Sequence, residues 1–169
     1  MSRPKAEDAA VFYHNYIAYN RGESLQELMQ NHATEIKDFY NNLPQAKADY
    51  AYAEGKWTLK DLVQHVTDAE RVFCYRALRI SRKDTTALPG FDENSYAVNA
   101  NAGSRDFDSL KQEFTAVRFA TDLLLKTLTE DQLQQSGTAS NHYITVNALA
   151  FIIYGHLLHH KKIIEERYL

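Results

Sequence analysis

Apolar residues recur along this chain at intervals of three and four, and the recurrence breaks at only a few places. From Ser24 onward, Leu25, Leu28, Met29, His32, Ile36, Phe39 and Leu43 trace one face of a helix that runs to about Asn42. Ser24 is a suitable N-cap with Glu27 at the capping-box position, and Leu43-Pro44 ends the run. A shorter helix is predicted near Ala9 to Tyr19, closed by the turn at Arg21-Gly22. After a break at Gly55, Thr58 caps a second long helix, with Asp61 completing its capping box. Leu59, Leu62, Val66, Ala69, Phe73, Ala77 and Ile80 form its stripe.

The pattern stops after Arg82. Residues 84–104, with Pro89-Gly90 and the polar run Asn99 to Gly103, read as a connection of about twenty residues, a length typical of functional lids or crossovers. A third long helix spans about Asp106 to Leu128, carrying Phe107, Leu110, Phe114, Val117, Ala120, Leu124 and Leu128. Residues 129–141 are polar, with a break at Ser136-Gly137, and the last helix runs from about Thr145 to Arg167. No alternating β-branched run is long enough to predict a strand. The expected fold is therefore all-α: one domain over residues 1–169, a four-helix bundle with a long crossover connection between helices 2 and 3 of the four, plus a short N-terminal helix.

Composition narrows the function classes more than it names one. Hydrophobic residues at 44% and charged residues at 24% suit a globular protein with its own core. A net charge of −3 with interspersed signs offers no basic stripe, so nucleic acid is not an expected partner. The N-terminal stretch lacks the apolar run of a secretory signal, and the segment around Ala148 to Leu158 is too short for a bilayer, so no membrane partner is expected and a cytoplasmic location is the default. One cysteine, Cys74, excludes an intrachain disulfide and reads as a small buried apolar residue.

Candidate chemistry comes from the histidines. On a wheel of the last helix, Leu149, Ile152, Ile153, His156, His160, Ile163 and Ile164 fall within a stripe about 120° wide, with His156 and His160 at its centre. An imidazole in an apolar stripe costs roughly 1–3 kcal/mol if a nitrogen stays unpaired, and two on successive turns double that cost. Either a metal ion takes both lone pairs, or the rings are core histidines bonded to polar neighbours. His159 lies at the edge of the stripe, facing a neighbouring helix, solvent or another subunit. His65, on the flank of the second long helix beside Leu62 and Ala69, can turn inward and complete a three-nitrogen set. Three protein ligands with an open position is the pattern of catalytic metal sites. Asp68 is a weak candidate to orient an imidazole or sit near metal-bound water; a solvated face shared by Asp68, Glu70 and Lys60 is the plainer reading. Cys74 lies roughly 13 Å along the helix from His65, too far to ligate the same ion. His14, His32 and His142 read as surface or hydrogen-bonded histidines.

The segment Trp57 to Glu70, an aromatic start and short cap followed by a histidine and acidic residues, resembles the second-helix signature of the DinB-like superfamily. Gly155-His156-Leu157-Leu158-His159-His160-Lys161-Lys162-Ile163 is similar to that family's last-helix motif, and Leu88 to Asn94 to its long connection. The resemblance covers about Ser24 to Ile164. It implies a four-helix bundle with a long crossover, a homodimer, and one divalent metal ion, nickel or zinc, held by His65, His156 and His160. It also implies a small-molecule substrate; characterised relatives include thiol-dependent S-transferases and mycothiol-dependent isomerases, in which the metal binds and activates a low-molecular-weight thiol, but this chain has no distinct thiol-binding motif onto which that cosubstrate can be carried over. A metal-assisted hydrolase and a non-enzymatic metal-binding or stress-associated protein are the other functions compatible with such a site. Phe91, Asn94 and Tyr96 of the connection are expected to line or cover its mouth.

Overall fold

A computed structural model describes residues 1–169. The chain begins with a short helix, α1 (His14–Tyr19), preceded by a 3-10 turn at Val11–Tyr13. Four long helices follow: α2 (Leu25–Asn41), α3 (Leu59–Ser81), α5 (Phe107–Lys126) and α7 (Val146–Arg167). Their starts are set by side chains that accept from free helical N–H groups. Thr58 and Asp61 form the predicted capping box of α3, while Asp106 and Thr145 cap α5 and α7. At α2, Ser24 caps Glu27 N, but the Glu27 carboxylate accepts from Glu23 N rather than closing a box on Ser24.

Each of α2 and α3 packs against both α5 and α7, so α2 and α3 occupy one pair of opposite corners of the bundle and α5 and α7 the other. The segments that join these diagonal partners, residues 42–58 and 127–145, are long enough to cross the bundle. α7 is the centre: from Val146 to Leu158 every residue is buried, as expected of a helix apolar on all sides. Its outer side is covered by α1. Gly155 permits that approach, since a Cβ there would lie 1.9 Å from the Tyr16 carbonyl oxygen. Asn20 at the end of α1 donates to the Phe151 carbonyl at 2.9 Å and locks the two helices together.

The connections hold more structure than the periodicity predicts. The crossover contains α4 (Glu93–Ala100), capped by Asp92, and the polar stretch after α5 contains α6 (Glu130–Leu133) and a hairpin, β1 (Ser136–Ala139) with β2 (His142–Thr145). α4 buries no residue, so it has no apolar stripe to announce it. The hairpin strands have four residues each, and their turn places Ser140 and Asn141 at φ 51° and 64°, a left-handed pair usually signalled by glycine. Leu88 of the crossover bonds to this hairpin, N–H to Thr138 O at 2.9 Å and O from Ser140 N at 3.0 Å. Crossover and hairpin thereby close one side of the bundle above α3. No helix is long and apolar enough to cross a membrane.

Candidate metal centre

α3 and α7 pack side by side, and this contact brings His65 against His156 and His160. The i, i+4 spacing on α7 stacks the latter two rings on successive turns, with centroids 4.5 Å apart. His65 Nε2 lies 3.2 Å from His156 Nε2, and His160 Nε2 lies 3.2 Å from the same atom. One ligand atom from each of the three fits within 4.8 Å of the others. A tetrahedral ion with bonds of about 2.0–2.1 Å sets its nitrogens roughly 3.3 Å apart, a spacing that the two contacts of His156 already have.

The electrostatics point the same way. Burial lowers the pKa of His65 to about 4, with His159 adding a smaller push, and holds His156 and His160 well below the ordinary histidine value. A neutral imidazole has one nitrogen with a free lone pair, and with the proton on Nδ1 that nitrogen is Nε2, the state a metal requires. Three facing lone pairs with at most one shared proton between neighbours is a poor hydrogen-bond arrangement. The donor set therefore fits a divalent cation.

Aromatic rings hold the imidazoles in place. Trp57 stands 4.7 Å from His65, while Tyr16 and Phe73 meet His156 edge-on at 5.3 and 5.7 Å. His160 Nδ1 is buried without a hydrogen-bond partner, so packing rather than a carboxylate orients that ring. The trio forms one wall of a cavity of about 440 Å³, which also meets Tyr13, Arg76, Ser140 and, from the crossover, Phe91 and Glu93. Burial raises the Tyr13 and Tyr16 pKa values, so both keep their protons and can donate into the cavity.

The remaining candidates lie elsewhere. His159 packs on Tyr16 and Tyr19 of α1, the neighbouring-helix option of its three. Asp68 accepts from Gln64 at 3.0 Å and from Arg71 at 3.3 Å, with no bond to an imidazole. Lys60 pairs with Asp49 at 2.9 Å, and Glu70 is buried against Arg118, so these acidic and basic side chains do not share one solvated face. Cys74 is half-buried and outside the trio. His32 accepts from Arg21 N at 2.9 Å and His14 Nε2 meets the Ala6 carbonyl, both satisfied locally. Of the crossover residues, Phe91 lines the cavity, Tyr96 packs on Phe91 at 5.0 Å, and Asn94 faces a neighbouring cleft that shares Trp57 and His160. Arg76 was not singled out by spacing, being one arginine among many on helical surfaces. Its only sequence signal is that it continues the His65, Ala69, Phe73 line at helical intervals.

Comparison with known proteins places this geometry in a family. Residues 26–164 match the DinB superfamily. The chain is 25% identical over 109 residues to a protein of Oceanobacillus iheyensis named "Putative metal-dependent hydrolase OB0413"; the match spans 64% of this chain and 62% of that protein's length. Among solved structures, YfiT from Bacillus subtilis, described as a probable metal-dependent hydrolase with an unusual four-helix bundle topology, superposes with a TM-score of 0.70 at 19% identity, over 96% of this chain and 89% of its own. A mycothiol-dependent maleylpyruvate isomerase gives a TM-score of 0.64 at 15% identity, over 83% of this chain and 62% of its own. YjoA, a DinB-like protein of Bacillus subtilis, gives 0.56 at 19% identity, over 85% and 89%. These structural likenesses establish the shared bundle.

Proposed function

The chain belongs to the DinB superfamily, and from that premise we propose that it is a metal-dependent enzyme in which His65, His156 and His160 hold one divalent ion, nickel or zinc, and a low-molecular-weight thiol is transferred to an electrophilic small molecule. The observation that carries this reading is the convergence of three neutral Nε2 atoms on the wall of a cavity large enough for a small organic substrate. When bound, such an ion lowers the pKa of a thiol or water and polarises an electrophile's oxygen. The protein's own part is positional. Trp57, Phe73 and Tyr16 exclude water around the imidazoles and fix their planes. Tyr13 and Tyr16 offer O–H donors to a developing negative charge, and Phe91 with Glu93 stands at the crossover side of the cavity.

The name of the mycothiol-dependent neighbour supports a thiol as cosubstrate. The names of OB0413 and YfiT support a second reading, attack by water in a metal-assisted hydrolysis at the same site. Elemental analysis of untagged protein is the first test: about one equivalent of divalent metal is expected, and none in a variant with all three histidines changed to alanine. Full occupancy in that variant would overturn the site. Thiols are then assayed against epoxides and alkyl halides, and water against esters and amides, before and after chelation. Thiol consumption lost on chelation and restored by metal supports transfer; ester or amide cleavage with the same dependence selects the hydrolase. Full metal content with no turnover of either kind marks a non-enzymatic metal-binding protein. Assembly as a homodimer belongs to the same reading and is measured by sedimentation equilibrium.

A further inference from the structure

The cavity beside the histidines contains a second group that the metal reading does not use. Arg76 is only 2% exposed, yet no carboxylate lies within 4 Å of it. Its Nη2 donates to the Pro89 carbonyl at 2.8 Å and to Ser140 Oγ at 2.9 Å, both neutral acceptors. Glu93, the carboxylate that also borders this cavity, is exposed and forms no ion pair with it. Buried charges in folded proteins are ordinarily paired, because desolvation of a lone guanidinium is costly. The other fully buried arginine, Arg118, obeys that rule, with Glu70 at 3.0 Å and Asp122 on its second nitrogen.

Arg76 is placed to meet a ligand that also reaches the trio. It follows His65, Ala69 and Phe73 along one face of α3, and an arginine on a helix leans toward the N-terminal end, here toward the histidines. A single ring spans the interval: Phe73 lies 5.7 Å from the His156 ring and 5.8 Å from Arg76 Cζ. Pro89 and Ser140 hold Nη2 from the crossover and the hairpin turn, which fixes the plane of the guanidinium. With both Nη2 hydrogens taken, Nη1 and Nε keep N–H groups that can give a carboxylate a charge-assisted hydrogen bond.

We propose that Arg76 is the anion anchor of this cavity, binding the carboxylate of a small organic acid whose other end lies at the His65, His156 and His160 wall. The reaction at that wall rests on the metal-site reading; the anchoring at Arg76 is measured separately. The probes are 4-phenylbutyrate and its neutral amide, with binding followed by calorimetry on metal-loaded protein. The carboxylate is expected to bind about tenfold or more tightly than the amide, the gain of a charge-assisted pair in a dry site. Arg76→Gln should reduce that ratio to near one with metal content unchanged, and Arg76→Lys, which keeps the charge without the clamped planar guanidinium, should give an intermediate ratio. Ser140→Ala loosens the clamp without removing the cation and should retain the preference. The preference should also survive chelation, with helical content checked by circular dichroism.

Equal binding of acid and amide by the wild-type protein overturns the proposal. So does a preference that persists in Arg76→Gln and disappears on chelation, which would put the carboxylate on the metal. Protein that takes up no metal when metal is supplied, yet keeps the preference, would refute the metal site alone. A metal-loaded protein without the preference would refute the anchor alone.

Discussion

Two buried polar clusters flank α3, and they are built on opposite principles. Between α3, α5 and α7, Arg118 meets Glu70 at 3.0 Å and Asp122 on its other nitrogen, and Tyr154 donates to Asp122 at 2.6 Å. Burial pushes the Glu70 carboxyl up while Arg118 pulls it back; burial opposes the Arg118 charge, yet the surrounding Glu70, Tyr154 and Asp122 hold its pKa above the ordinary value. The Glu70 to Arg118 pair is close in distance but not aligned as a hydrogen bond, so its attraction is coulombic. This cluster answers its charges from within. The cavity cluster does not: three lone pairs face one another, and a buried guanidinium meets only neutral oxygens. A closed set of charges holds helices together, whereas an open set leaves interactions for something that enters.

The largest effect should come from opening the closed set. Glu70→Ala leaves Arg118 underpaired in the interior, and a loss of about 3 kcal/mol or more in unfolding free energy is expected from urea denaturation. A loss below about 1 kcal/mol would mean that the cluster is not the internally balanced one described. Supplying the missing partner to the open set should do the reverse. At a zinc or nickel concentration a hundredfold above its dissociation constant, the wild-type protein should gain about 2.7 kcal/mol in stability, and His156→Ala should gain nothing. Thermal unfolding with and without metal reads this directly.

A smaller effect is expected where the roof of the cavity meets α7. Gly155→Ala forces the Tyr16 backbone away from α7 and should cost about 1–3 kcal/mol, with weaker metal retention because Tyr16 packs on His156. Unchanged stability would show that α1 shifts freely over the site. The smallest effect belongs to a surface trio, Glu113 with Arg71 and Arg105, that resembles the closed cluster without its burial. Burial alone would raise the Glu113 pKa, but hydrogen bonds and charge from Arg71 and Arg105 hold it below the ordinary value of 4.5. Its contribution is therefore present above pH 4.5 and is lost as pH falls through the lower folded value. Glu113→Gln should cost under about 1 kcal/mol at pH 7, and the difference from wild type should shrink as pH falls below 4.5.

The long helices α2, α3 and α5 were legible because burying one face imposes a 3.6-residue period, whereas α7, buried on all sides as far as Leu158, was legible as a long apolar run. Two of their starts were legible because a cap needs an oxygen at one position, as at Ser24 and Thr58. α4 and the hairpin escaped for the converse reason. α4 buries no residue, and β1 and β2 are too short for alternation to accumulate. Glu70 and Arg76 were illegible in another way, since a charged residue on a helix reads as solvated unless its neighbours in space are known.

What the sequence determined by itself, then, was local: helix period, caps, and the i, i+4 placement of His156 and His160 on one face. Those follow from backbone geometry and from chain neighbours. The tertiary structure decided what those faces meet. It put His65 at 3.2 Å from His156 across 91 residues, buried Arg118 among carboxylates, and buried Arg76 among neutral oxygens. Burial and pairing of a charge depend on which helices become neighbours, and that is settled by packing the whole chain rather than by any segment of it.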